Sequence, residues 1–170
     1  MFCMRKMYAL VIIQKGGLEI ETSFHKTKES AARQVRLAAL DSKENRDILP
    51  YKTAPEGETF CSTDDSRYND LEIFWKAEKI PERYLKNQDS CIMSIFCEKN
   101  TDIQTMYFGS RNEAISSMTD RIMSSAGYGS LEDLIENAGC GNCGFSDDES
   151  WVVTKDKGLV YWNIAVIPSC

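Results

Sequence analysis

Apolar positions along the chain fall into two patterns that alternate and then recur. Residues 7–13 (Met-Tyr-Ala-Leu-Val-Ile-Ile) form an unbroken apolar, β-branched run. After Gln14-Lys-Gly-Gly17, residues Leu18–Phe24 alternate with period two. Leu18, Ile20, Thr22 and Phe24 share one side and Glu19, Glu21 and Ser23 the other, which predicts a hairpin with one side on a core. The period changes at Thr27, a helix-capping residue with Glu29 in the turn that follows. Ala31, Val35 and Ala38 then recur at helical spacing as far as residues 40–42. Residues 43–63 carry no clear period beyond a helical turn at Asp47-Ile-Leu, stopped by Pro50, and a loop at Pro55-Glu-Gly57. A strand is predicted over Leu71–Ala77.

The same order then returns. Cys91–Cys97 reads as an apolar strand, Ile103–Phe108 as the returning strand, and Ser110-Arg-Asn-Glu113 as a capping box opening a helix with Ile115, Met118 and Ile122 on its buried stripe. Gly127 stands where a left-handed C-terminal cap belongs. A second box, Ser130-Leu-Glu-Asp133, opens a short helix with Leu131, Leu134, Ile135 and Ala138 inward, closed by Gly139. A loop over 140–150 leads to a final hairpin, Trp151–Thr154 and Leu159–Ile167, with Val160, Trp162, Ile164 and Val166 on one face.

Fixed points support an internal duplication. Phe24 and Phe108 are 84 apart, Ala31 and Ala114 are 83 apart, and Asp64-Asp65 and Asp147-Asp148 are 83 apart. Trp75 and Trp162, like Pro81 and Pro168, are 87 apart. The predicted fold class is therefore α+β: two tandem β-β-α-(α)-β-β modules, residues 1–84 and 91–170 with a polar linker at 85–90, each an antiparallel sheet with helices packed on one face. The first copy of the final strand carries Lys76, Glu78 and Lys79, which suits a wet edge. The second carries Ile164 and Val166, which suits the inside of a sheet.

Composition narrows the function classes. The chain has 170 residues, 42% apolar and 27% charged, which is globular composition without disorder. Its longest apolar run is the seven residues 7–13, against roughly 20 needed to cross a bilayer, so no membrane span is expected. Nor does the N-terminus read as a signal peptide. Seven cysteines, an odd number, favour reduced thiols and a cytoplasmic location over a disulfide framework. The net charge of −6 lies wholly in the second half: residues 1–84 hold 14 basic and 14 acidic residues, and 85–170 hold 6 and 12. That balance argues against direct nucleic-acid binding and leaves room for a protein partner with a basic surface.

Candidate chemistry is sparse. Cys140-Gly-Asn-Cys143 is the sharpest local motif, yet it follows a helix and precedes a strand, the wrong end of the dipole for a low-pKa thiol. As a metal site, Cys140 and Cys143 need two further ligands from elsewhere. Gly139, Gly141 and Gly144 match a dinucleotide-binding glycine pattern in reversed context, after a helix rather than after a strand, and that reading is set aside. The acidic pairs 64–65 and 147–149 read as loop formers. His25, the sole histidine, has no nucleophile evident beside it in the sequence.

No catalytic constellation emerges, no cofactor is implied, and an enzyme is not expected. In overall style, a compact acidic α+β chain without a catalytic signature, the sequence resembles phage or mobile-element accessory proteins, among them anti-CRISPR-like inhibitors of bacterial defence systems. That resemblance implies a host-cell cytoplasmic protein that occludes or bridges a protein partner. The binding residues expected are Phe74, Tyr161 and Asn163 on the sheet faces away from the helices, with the acidic turn Asp147, Asp148 and Glu149. The alternatives are a thiol-redox or metal-binding protein working through Cys140 and Cys143, and a nucleotide or metabolite binder in a cleft between the repeats.

Overall fold

A computed structural model of the protein describes residues 6–14, 19–41, 52–53, 59–60, 73–100, 102–137 and 143–169. The expected turn at Asp47, the loop at Pro55, the pair Asp64-Asp65 and Cys140 lie outside these residues. The class is mixed α+β, with antiparallel sheets and a few helices, and the chain divides into two compact units, 1–82 and 83–169. Among the described residues no helix is long and apolar enough to cross a membrane.

In the first unit, β1 (Tyr8–Gln14) and β2 (Glu19–His25) form the predicted hairpin, followed by α1 (Lys28–Asp41). Two short strands, β3 (Lys52–Thr53) and β4 (Thr59–Phe60), pair with each other, and β5 (Ile73–Lys79) joins β1 to give the order β2-β1-β5. The unbroken apolar run of β1 has a physical reason: it lies between two strands, and Ala9 to Ile13 are all buried, so both of its faces are covered. Helix α1 starts where the Thr27 hydroxyl accepts from the amide of Ser30 at 3.1 Å. Ala31 and Val35 then turn onto Leu10, Ile12 and Trp75 to form the core.

The second unit opens with α2 (Glu82–Leu85) at the boundary, then β6 (Cys91–Cys97), β7 (Asp102–Phe108) and α3 (Arg111–Ala126). After these come α4 (Leu131–Asn137), β8 (Cys143–Phe145), β9 (Glu149–Thr154) and β10 (Gly158–Val166), in a five-stranded sheet of order β7-β6-β10-β9-β8. Helix α3 is capped at both ends. Ser110 Oγ accepts from the Glu113 amide, and Gly127, at φ 78°, sends its amide to the Met123 carbonyl at 2.9 Å. Ala114, Met118 and Ile122 are fully buried against Cys91, Met93, Ile95 and Trp162. Burial of a side chain the size of Met118 or Ile122 contributes about 1.5–3 kcal/mol.

The two units obey the same arithmetic. Tyr8 pairs with His25 and Cys91 with Phe108, so adding 83 to both members of every β1–β2 pair reproduces the β6–β7 register. Ile12 pairs with Trp75 and Ile95 with Trp162, a shift of 83 on one strand and 87 on the other. The core residues Leu10, Ile12, Ala31, Val35, Trp75 and Ala77 shift onto Met93, Ile95, Ala114, Met118, Trp162 and Ile164, every one in the second core. Two backbone bonds shift likewise: Ile80 N donates to Met7 O at 2.9 Å, and Ile167 N to Ser90 O at 2.8 Å.

Several local expectations change. The strand expected at 71–77 is described over 73–79, running on through Lys76 and Glu78, which pair at 3.3 Å. The expected loop 140–150 contains β8 and the first residues of β9. On α4 only Leu134 is buried. Leu131 and Ile135 stand 38% and 55% exposed, because a helix of two turns presents only one residue squarely to the core. Val166 is exposed too, at the last position of β10. The polar stretch 85–90 is tied down within the second unit: Asn87 Nδ2 donates to Gly109 O at 2.6 Å, and the Tyr84 ring stacks on Tyr107 at 5.4 Å. β10 lies between β6 and β9, whereas among the described strands β5 ends its order.

Candidate functional site

An open groove of about 1040 Å³ lies in the second unit. It arises from where α3 sits. The helix packs chiefly against β9 and only lightly on β7, so a trough opens between its other flank and the β6–β7 side of the sheet. Ile95, Phe108, Val160 and Trp162 make an apolar floor. The wall is the polar side of α3, with Ser116, Ser117, Asp120, Arg121, Ser124 and Ser125 one and two turns apart.

The charges of the groove divide into committed and uncommitted groups. Asp102 accepts from the Gln104 amide at 3.0 Å, and Glu113 accepts from the Gly109 backbone amide at 3.1 Å. Asp120, Arg121 and Lys157 also line the groove, and among the described residues none of the three forms an ion pair. Lys157 is held by its backbone: its amide donates to Thr154 Oγ1 at 3.1 Å, and its carbonyl accepts from Lys99 N at 3.3 Å and from the Cys97 thiol at 3.5 Å. The sulfur of the half-buried Cys97 thus stands at the same end of the trough as Lys157.

The structure separates the residues expected to bind. Phe74 and Tyr161 are buried at 3% and 8% exposure, and they belong to different units. Asn163 is half-buried and donates to Glu149 Oε1 at 3.2 Å. Asp147 and Asp148 are the exposed tip of the β8–β9 turn. Ser146 closes that turn, its amide donating to Glu149 O at 2.7 Å and its hydroxyl accepting from Glu149 N at 3.2 Å. Arg111, from the start of α3, pairs with Asp148, and this partner holds the guanidinium more firmly charged. The acidic turn is therefore the exposed part of the expected set.

Cys143 opens β8 and is buried, its thiol 3.6 Å from the Asn137 carbonyl and 3.7 Å from the Tyr128 hydroxyl. Burial pushes the Cys91 thiol up in pKa, the opposite of what a nucleophilic cysteine needs. Among the described residues no three His, Cys, Asp or Glu side chains come together as a metal site. Gly144, the last glycine of the reversed dinucleotide pattern, serves packing: it stands opposite Trp151, whose indole fills the space above it.

His25 does have a hydroxyl beside it, which the sequence did not disclose. Ser23 Oγ is 2.9 Å from Nε2 and Ser30 Oγ is 3.2 Å from Nδ1, so the imidazole ties the end of β2 to the first turn of α1. Partial burial lowers its pKa below 6.5. The serines of α3 were missed for a different reason. A polar helix stripe reads as the solvent side, and only the off-centre seating of α3 turns part of it towards the sheet. Comparison with protein families, with characterised proteins and with solved structures finds no match to the chain.

Proposed function

We propose that the chain is a non-enzymatic binding protein, built from two copies of one β-β-α-(α)-β-β module, that occludes or bridges a protein partner through its second unit. The groove beside α3 carries the reading. A trough of this size, with an apolar floor and a wall of hydroxyls and charges, has the makeup of a recognition surface. The shared 83 and 87 shifts in register, core and backbone bonds support the two-copy origin. The exposed Asp147-Asp148 tip offers a contact for a basic patch on the partner. An inhibitory role against a bacterial defence system, in the host cytoplasm, rests on the style of the sequence alone.

The test is affinity capture from a bacterial lysate with the wild-type protein beside the groove-filling variant Ser117→Tyr/Ser124→Tyr, both checked for unchanged thermal melting. The expected result is a stoichiometric partner held by wild type and lost by the variant. Equal capture by both, or no stoichiometric partner for either, overturns the reading.

A further inference from the structure

His25, the sole histidine, is held between two serine hydroxyls at the junction of β2 and α1. We propose that Ser23 and His25 form a nucleophile–base pair, with Ser30 positioning the ring, and that Ser23 accepts the acyl group of a small activated ester. The site belongs to the first unit and does not depend on the groove. Ser23 and His25 stand two residues apart on β2, opposite Leu10 and Tyr8 of β1, and therefore on one side of the strand. Leu10 packs beneath α1 in the first core, so this is the side that carries the helix, and Ser30 reaches the ring from the first turn of α1.

Three observations carry the proposal. The first is the polarity of the hydrogen bonds. A neutral imidazole has one N–H and one lone pair, so one serine donates to the ring and the other accepts from it. Ser23 Oγ is 2.9 Å from Nε2 and Ser30 Oγ is 3.2 Å from Nδ1. The shorter contact suits a hydroxyl donor, because O–H bonds run shorter than N–H bonds, which puts the lone pair at Nε2 and the N–H at Nδ1. Nucleophile, base and orienting group then follow one another in a line. The second is protonation: partial burial lowers the pKa of the ring, so it is neutral near pH 7, the form a general base needs. The third is access. Ser23 and His25 are half-buried and Ser30 is exposed, so a small electrophile reaches Oγ without opening the core.

In the transfer, Ser23 Oγ attacks the ester carbonyl as its proton passes to Nε2, while Nδ1–H donates to Ser30 Oγ. The tetrahedral adduct expels the alkoxide or phenoxide, which takes the proton back from Nε2. One ester C–O bond breaks, one forms at Ser23, and the ring ends neutral. The chain ends acylated, so the site is a stoichiometric modification site on a binding protein.

The experiment treats the full chain with p-nitrophenyl acetate, follows release of nitrophenoxide, and maps acetyl groups by peptide mass spectrometry, with hydroxylamine to separate O-acetyl serine from N-acetyl lysine. The serines of α3 are the internal reference, and thermal melting checks that each variant is folded. Ser23 is expected to be acetylated ahead of that reference, about a hundredfold or more slower in His25→Gln, and not at all in Ser23→Ala. Free imidazole should restore labelling in His25→Ala, and Ser30→Thr should keep the rate that Ser30→Ala loses, which a merely structural role for either residue would not produce. Acetylation confined to lysines, acetylation of Ser30 in place of Ser23, or an unchanged Ser23 rate in His25→Gln overturns the proposal. An unchanged rate in Ser30→Ala removes Ser30 from it.

Discussion

The indole of Trp151 lies across Gly144, its cross-strand partner in the β8–β9 pair. A methyl group built on Gly144 would stand 2.7 Å from Cε2 and 2.9 Å from Cδ1 of that ring, closer than any real contact. Gly144→Ala is therefore expected to destabilise the second unit by about 1–3 kcal/mol, through the displaced ring rather than through backbone conformation. Urea denaturation of Gly144→Ala, Trp151→Leu and the double variant checks it. The glycine substitution should cost less once the indole is gone, and additive effects would count against the contact.

Gly127 closes α3 for the other reason glycine is used. Its φ of 78° is left-handed and nothing lies within 4 Å of where a Cβ would be, so Gly127→Ala is expected to lose about 1 kcal/mol from strain alone. Gly127→Asn should lose less, since asparagine tolerates that region better. Thermal melting of the two variants discriminates strain from sterics.

Thr27 and Ser110 cap their helices at positions 83 apart with the same bond, hydroxyl to the amide three residues on. Replacing either by Ala should cost about 1 kcal/mol, and by Asp much less. Hydrogen exchange in the first turns of α1 and α3 is the direct measurement, and loss of protection should be confined to the helix whose cap was removed.

His25 predicts a pH dependence. Its folded pKa lies below the value of 6.5 that it has when exposed, so the native state prefers the neutral ring. The stability contributed is fully present above pH 6.5 and is lost as pH falls through the folded pKa. Wild-type stability should drop more steeply than that of His25→Gln on acidification below pH 6.5, as read by denaturant midpoints. Parallel curves for the two proteins would mean that the ring is uncoupled from folding.

Among the described cysteines, Cys97 is half-buried while Cys91 and Cys143 are buried. In the native state iodoacetamide should modify Cys97 first and leave Cys91 and Cys143 until unfolding, as peptide mass mapping would show. Early reaction of Cys143 would revive the thiol chemistry that its buried place in β8 argues against.

Much of the architecture was legible because short-range rules settled it. The hairpin of β1 and β2 followed from period-two alternation around Gly16-Gly17, and α3 from Ser110, Glu113 and Gly127, residues whose capping chemistry leaves few alternatives. The site was less legible. Cys143 and Gly144 looked like chemistry in the sequence and are packing in the fold. Arg121 and Ser124 lie off the apolar stripe of α3 and carried no signal in the sequence, yet they line the groove, because the seating of α3 towards β9 is a long-range property that no local period encodes. Phe74 and Tyr161 alternate with the core residues Trp75 and Trp162 along β5 and β10, and their burial depends on tertiary packing that no local period encodes.

The shared register also bears on how the chain finds its structure. Because β5 and β10 meet β1 and β6 with the same offsets, each is geometrically able to dock in the other's place, and a chain emerging from denaturant faces a choice between correct and exchanged sheets. The charges on β5 do not decide it: Glu78 and Lys76 stand opposite Ala9 and Val11 in the native pairing and would stand opposite Ile92 and Ser94 in the exchanged one, and all four partners are fully buried. Volume separates the two arrangements instead, because Ile164 packs in the second core at the position that Ala77 holds against the first, so exchange would leave a cavity in one core and crowd the other. A chain carrying Ile164→Ala should therefore yield more exchanged, aggregation-prone molecules on refolding.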